Sequence, residues 1–489
     1  MSEQPGGLVV LHVDGLGDDD LQRAVADGRM PAVARLIREE GYTALHYRCG
    51  IPSTTPFAQA GILYGDNREI PSFRWFDRDA GAVIGFGSGS TFKQVAHKYF
   101  GGTRPLCEEG ACIAACYPGG ADETFGLAYR DRQYSGSRAN RSALNVVAPW
   151  LANPAHLADL LGLGAIAAAG LIANAVEERA AGRHPVRGYV INDIFEEVVL
   201  HHLTRYAVRQ AMDEGYPSIY AAFYAYDETG HAFGPEDAYT EHMLAHVDHS
   251  VRAVAEHRRK NRAGRDYRLV VLSDHGQIPT EPFNARDGVH LGELVAQWLP
   301  GCRVEEHKGK AFGPKDVPQT RVLLTYSGGL GHLYFAAFPD RLPLPEVRRR
   351  FPGLVEKLAG LDRLAFVLGR DRGVNVAVTA AGDLRWGAED AGEARDLLAR
   401  FDDPDVLARQ LDRLNSFGHA GDLVLFGAWD GRREINLENQ SGGHGSIGGA
   451  QAHPFLLVNE EWGVDTEHVE GAHQLHPILM DLRRRFTGR

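Results

Sequence analysis

With 489 residues, 44% of them hydrophobic, the chain is long enough for one large domain with insertions, or two domains, around a substantial core. Its formal net charge of -12 and the lack of a long Lys/Arg run argue against a protein that coats nucleic acid, so no stable nucleic-acid partner is expected. Five cysteines, an odd count in so long a chain, fit a reduced compartment. The short polar stretch before the first apolar run lacks the regions of a signal peptide, so a cytoplasmic location is expected.

In chain order, Leu8–Val13 reads as a buried strand that ends in Asp14. Met30-Pro31 then opens a helix, with Val33, Leu36 and Ile37 at helical spacing. The segment Pro52–Gly65 reads as strand end, turn and helix, with Pro56 at the first helical position. A threonine here, Thr54 or Thr55, has an ordinary role as a helix cap. The same position exposes an oxygen beside free backbone N–H groups that suit an anion. Just beyond, Asn67, Arg74 and Trp75 or Phe76 are candidate substrate contacts.

A long stretch, roughly 76–214, follows. Cys107, Cys112 and Cys116 in it could hold a structural metal with a fourth ligand but read more simply as unpaired thiols. Residues 160–176 carry no charge and come near the lower limit of a membrane span. Ala and Gly dominate them and Asn174 interrupts them, which predicts a buried or homodimer-facing helix and no membrane span. The stretch also holds a polar loop at Tyr134–Arg141.

The strand read at Ile219–Tyr226 leads into Asp227-x-x-x-His231, whose carboxylate and imidazole are close enough to share one ion. A helix with Met243, Leu244, Val247, Val251 and Val254 on one stripe follows Gly234-Pro235. The strand Leu269–Ser273 ends in Asp274-His275-Gly276. Adjacent strand residues point to opposite faces, so Asp274 and His275 serve one cleft only where the strand has given way to a loop. A second long stretch, roughly 291–419, holds a strand at His332–Phe335 and charged helices such as Glu393–Arg413. Strands at Leu423–Phe426 and Phe455–Val458 flank His444, which sits in a glycine-rich loop. Alternating strands and helices predict an α/β fold, and Asp14, Asp227 and Asp274 all fall just past strand ends, where open parallel sheets place their ligand crevice. Three carboxylates, three imidazoles and a hydroxyl are what two adjacent divalent ions need, and such a site suits displacement at phosphorus.

The order of these motifs resembles the alkaline phosphatase superfamily, and most closely its type I phosphodiesterase/nucleotide pyrophosphatase branch. The resemblance rests on Asp14, on Pro52-Ser53-Thr54-Thr55 with Gly65 ten beyond Thr55, and on Asp227/His231 followed by Gly234-Pro235. It continues through Ser273-Asp274-His275-Gly276 to His444-Gly445. It implies an alkaline-phosphatase-like core with a mostly parallel central sheet flanked by helices. That core would be a single catalytic domain assembled from about 1–75, 215–290 and 420–489. The stretches 76–214 and 291–419 would be insertions forming lids, a cap or oligomer contacts.

The resemblance further implies two divalent metal ions, zinc or alternatively manganese. One would be held by Asp227, His231 and His444, the other by Asp14, Asp274, His275 and the Thr55 oxygen. Spacing to Pro52 and Gly65 favours Thr55 over Thr54 as the nucleophile, which would attack phosphorus to give a phosphothreonine that water releases. The expected substrate is a nucleotide or other small phosphodiester. The alternatives are a phosphomonoesterase or phosphomutase on the same core, or a non-catalytic metal-binding relative.

Overall fold

The computed structural model describes residues 5–86, 89–100, 102–126, 199–260, 265–307 and 321–488, with single positions between 150 and 179. The apolar run of Gly6–Val13 forms the middle of a seven-stranded sheet, buried along nearly its whole length. It pairs in parallel with Ser218–Phe223 on one side and Asp266–Ser273 on the other. Parallel strands covered on both faces read as unbroken apolar runs, which is why these three were legible. Side chains alternate across the sheet. Val9, Leu11 and Val13 pack with Leu21, Val33, Val247 and Val251 of helices on one face. Leu8 and Val10 pack with Ile62, Leu63, Leu475 and Leu479 on the other.

The short strands Ala111–Ile113 and Glu123–Phe125 continue the sheet in parallel beyond Ser218–Phe223, so part of the 76–214 stretch lies within the central sheet. On the opposite side Phe455–Asn459 pairs antiparallel with Asp266–Ser273 and with Tyr42–His46. A second seven-stranded sheet takes most of its strands from the 291–419 stretch. Leu423–Gly427, expected beside the central strands, lies in this second sheet between Leu330–Phe335 and Leu364–Asp371. The second sheet puts Leu330, Tyr334, Phe366 and Phe426 into the core shared with the first, and its other face is covered by short helices.

Two local expectations shift. The strand read to Tyr226 ends at Phe223, where its pairing with Val13 stops. The chain there turns into the helix Ala225–Phe233, which carries Asp227 in its first turn. The helix read after Pro52 runs Thr55–Tyr64 with Thr54 as its cap, so Thr55, not Pro56, is its first residue. Of the 160–176 segment, the described side chains Leu161, Ile172 and Val176 are 66%, 66% and 63% exposed. Among the described residues no helix is long and apolar enough to cross a membrane. The Tyr134–Arg141 loop lies outside the described residues.

Candidate metal centre

Val13, Phe223 and Ser273 are neighbours across the central three strands, so all three strands end at one level. Asp14 and Asp274 are the first residues beyond, and the Asp14 N–H donates to the Phe223 carbonyl at 3.0 Å. The chain leaves the first strand through Gly15 at φ 74°, and a Cβ there would lie 2.5 Å from Asp227 Oδ1. Only glycine meets both conditions without strain. Asp227 and His231, one helical turn apart, share a face, with His231 Nε2 3.2 Å from Asp227 Oδ2.

Thr55 stands at the start of a ten-residue helix buried on every side. Burial of Phe57, Ile62 and Leu63 stabilises the anchoring of that helix by roughly 1.5–3 kcal/mol per side chain. Thr55 Oγ1 is 3.1 Å from His275 Nε2 and 3.3 Å from Asp14 Oδ1. The Thr54 hydroxyl is buried and has no hydrogen-bond partner among the described residues. His444 packs its ring flat on His275, centroids 3.7 Å apart. Its loop is tied to Ser53, two residues before Thr55: His444 Nδ1 lies 2.7 Å from the Ser53 carbonyl, and Gly445 N–H donates to Ser53 Oγ at 2.8 Å.

The three imidazoles have one polarity. His231 turns Nδ1 to the Gly442 carbonyl (3.1 Å), His275 to the Gly276 carbonyl (3.1 Å) and His444 to that of Ser53. A carbonyl only accepts, so Nδ1 carries a hydrogen in each case and Nε2 is the nitrogen left to hold a cation or a proton. These Nε2 atoms converge on carboxylates and on one another. His444 Nε2 is 3.1 Å from His231 Nε2, and His275 Nε2 is 3.4 Å from Asp14 and 3.3 Å from Asp274. Lone pairs and carboxylates that converge in a buried space need cations or protons between them.

The ionisation of the group tells the same story. Burial, then the Asp274 and Asp227 carboxylates, push the Asp14 carboxyl well above its ordinary range. Burial also works against Asp227 and Asp274, yet His231 and His444 hold the first well below that range, and His275 and His12 lower the second. Burial pushes His275 down to about 4 against the pull of Asp274. His231 goes the other way, up to about 10, because Asp227 outweighs its burial.

Asp227, His231 and His444 have ligand atoms within 4.8 Å of one another, as do Asp14, Asp227 and His275. The donor set of imidazole nitrogens and carboxylate oxygens therefore fits two divalent ions of the zinc or manganese type. A further group, Asp77, Asp79 and His419, already has the Lys98 ammonium 2.8 Å from Asp77.

A cavity of about 480 Å³ opens over this cluster. Its lining includes Asp14, Thr55, Asp227, His231 and His444, together with Phe73, Arg74, Phe86, Phe92, Tyr224 and Glu438. Of the expected substrate contacts, Arg74 lies on the wall, where its guanidinium meets Glu438 at 2.7 Å. Asn67 does not line the cavity. It is buried, donates to the Phe57 carbonyl and accepts from Arg413. Trp75 is buried against Phe86 and also lies off the cavity. The residues unread in the sequence are His12, whose Nε2 lies 2.9 Å from Asp274 Oδ1, and the aromatic side chains of Phe73, Phe86 and Phe92. A lone histidine inside an otherwise apolar strand was the one available signal for the first. Cys107, Cys112 and Cys116 are buried free thiols that take no part in the metal-competent groups found among the described residues.

The sequence profile of the type I phosphodiesterase/nucleotide pyrophosphatase family matches residues 8–315, more than half of the chain. No curated protein matches it. Among solved structures, phosphonoacetate hydrolase from Sinorhizobium meliloti 1021, in complex with phosphonoformate, aligns with a TM-score of 0.52 at 15% identity, over 98% of this chain and 96% of that one. Murine ectonucleotide pyrophosphatase/phosphodiesterase 5 aligns with a TM-score of 0.49 at 12% identity, over 98% and 95%. At that identity the likeness to the phosphonoacetate hydrolase speaks to the fold alone.

Proposed function

The chain belongs to the type I phosphodiesterase/nucleotide pyrophosphatase family, a family of phosphoric-ester hydrolases, and on that premise we propose that it cleaves a small phosphodiester or phosphoanhydride, such as a nucleotide, by way of a phosphothreonine at Thr55. The observation that carries this reading is the Thr55 hydroxyl, 3.1 Å from His275 Nε2 and 3.3 Å from Asp14 at the cavity floor. Asp227, His231 and His444 would hold one divalent ion, and Asp14, Asp274, His275 and Thr55 the other, with zinc the first candidate and manganese the second. Two such ions supply Lewis acidity for the charge on the attacking and leaving oxygens.

The chain's own groups do the rest. The helix that begins at Thr55 aims its free N–H groups and dipole at an anion bound there. Phe73, Phe86 and Phe92 form an apolar wall for the remainder of the substrate. Arg74, the Arg or Lys among the described lining residues, already faces Glu438, which disfavours a doubly charged monoester and supports the diester reading. From the long stretches, Phe86, Phe92, Ala114, Ser327 and Gly328 line the cavity, in keeping with a single domain whose long stretches cap the cleft. The five free cysteines support a reducing, cytoplasmic setting.

The test is turnover of bis-p-nitrophenyl phosphate against p-nitrophenyl phosphate by zinc- and manganese-loaded protein, with Thr55→Ala beside it. A diester preference that disappears in the variant supports the reading. A monoester preference replaces it with the phosphatase or mutase alternative.

A further inference from the structure

His12 is fully buried in the strand Gly6–Val13, with Nε2 2.9 Å from Asp274 Oδ1. Its other nitrogen, Nδ1, meets the Tyr220 hydroxyl at 2.8 Å and Gln59 Nε2 at 3.2 Å. The orientation of the Gln59 amide decides what His12 does. The Cys116 backbone N–H donates to Gln59 Oε1 at 2.8 Å, which assigns the oxygen end of the amide. The NH₂ end therefore faces His12 and the Tyr224 hydroxyl, 3.1 Å away. An amide NH₂ only donates, so His12 Nδ1 is the acceptor and the ring hydrogen sits on Nε2, the atom in 2.9 Å contact with Asp274 Oδ1.

This polarity is the reverse of that of His231, His275 and His444, whose Nδ1 atoms face carbonyls and whose Nε2 atoms face the metal-competent cluster. His12 also forms a metal-competent group with Asp14 and Asp274, yet its Nε2 presents a hydrogen where a ligand needs a lone pair. We propose that Gln59 locks His12 as an Nε2–H donor, and that His12 is a positioning residue: it holds Asp274 through Oδ1 and leaves Oδ2 as the oxygen offered to a metal ion. Asp274 Oδ2 faces His275 Nε2 at 3.3 Å, on the metal-competent side, while the Gly15 N–H adds a second, longer donor to Oδ1 at 3.4 Å. Hydrogen bonds of this kind fix the orientation of a ligating group, and their loss typically weakens metal binding 10–100-fold. The inference rests on the two-metal reading above.

The experiment is equilibrium competition of zinc against a chromophoric chelator for the wild-type protein, His12→Leu and His12→Gln. Glutamine places an amide N–H close to where Nε2 stood. The expected result is two tightly held ions in the wild type, one of them about 10–100-fold weaker in His12→Leu, and most of that loss recovered in His12→Gln. His12→Leu holding both ions as tightly as the wild type overturns the proposal. A glutamine variant as defective as the leucine one also overturns it, since His12 would then be a ligand. A wild type without two tight ions refutes the two-metal reading instead. A second measurement stands apart from metal content and from the folding of the variants. In ¹⁵N-histidine-labelled wild-type protein, with His12 assigned by its disappearance in His12→Gln, Nε2 is expected to be protonated and Nδ1 bare. The opposite tautomer, or a doubly protonated ring, overturns the inference whatever the zinc content.

Discussion

Metal binding at the Asp227–His231–His444 end of the site should be strongly coupled to pH, and the structure sets both sign and size. In the metal-free protein Asp227 holds His231 protonated up to about 10. A cation that binds Nε2 must displace that proton. At pH 7 the group is about three units below its midpoint. At 1.36 kcal/mol per unit, apparent affinity is then weakened by about 4 kcal/mol, or roughly a thousandfold, relative to high pH. Affinity should therefore rise close to tenfold per pH unit between 6.5 and 9. The sign for stability follows the same linkage. Because His231 is raised above its unfolded value near 6.5, its contribution to the metal-free fold is fully present below pH 6.5 and fades as pH climbs towards about 10. The gap in melting temperature between zinc-loaded and chelated protein should accordingly widen with pH, since a ligand of the native state stabilises by mass action. Isothermal titration calorimetry in two buffers of different ionisation enthalpy reads the released proton directly. Zinc binding without proton release at pH 7.5, together with an affinity flat from pH 6.5 to 8.5, would refute the pairing of His231 with Asp227 as the controlling interaction.

Three substitutions probe the rest of the site. Thr55→Ala should lower kcat by roughly 10³-fold or more while bound metal stays near two ions per chain, whereas Thr54→Ala should leave most turnover intact; the reverse result would move the nucleophile by one residue. In Gly15→Ala the new Cβ would sit 2.5 Å from Asp227 Oδ1 at a φ of 74°. The backbone alone costs about 1–2 kcal/mol, and the displaced carboxylate should release one ion more readily than the other; thermal unfolding and metal analysis of the same sample check both. Glu438→Gln keeps an acceptor for the Gly328 N–H, 2.9 Å away, but removes the charge that neutralises Arg74. The kcat/KM ratio of p-nitrophenyl phosphate to its diester should rise by about 3–10-fold, and an unchanged ratio would show that Arg74 does not reach the phosphoryl group.

How much of this site could be read in the sequence depends on where each residue stands relative to a strand end. Asp14 and Asp274 were legible because each closes a continuous apolar run, and burial on both faces of a parallel sheet forces such a run. The run Ile219–Tyr226 carried the same signal too far. Tyr224 and Tyr226 suit a strand as well as the residues before them, and only the end of pairing at Val13, a non-local fact, stops it at Phe223. Asn67 and Trp75 were drawn to the site by nearness in sequence. The helix cap at Gly65, φ 70°, turns the chain so that Asn67 points back to the Phe57 carbonyl. In the strand Arg74–Asp77 adjacent side chains face opposite ways, so with Arg74 on the cavity Trp75 belongs to the core. Applied to that tetrapeptide, period-two alternation would have rejected at least one of the pair.

His12 could not be read locally. Its partners Gln59, Tyr220 and Asp274 come from three separate segments. What it does for Asp274 depends on the direction of an amide set by a fourth, at Cys116. Two candidate ligands, Asp14 and Asp274, are thus written in single residues at strand ends. The hydrogen positions that decide whether a buried histidine offers a lone pair or a proton are written only in the packed network beneath them.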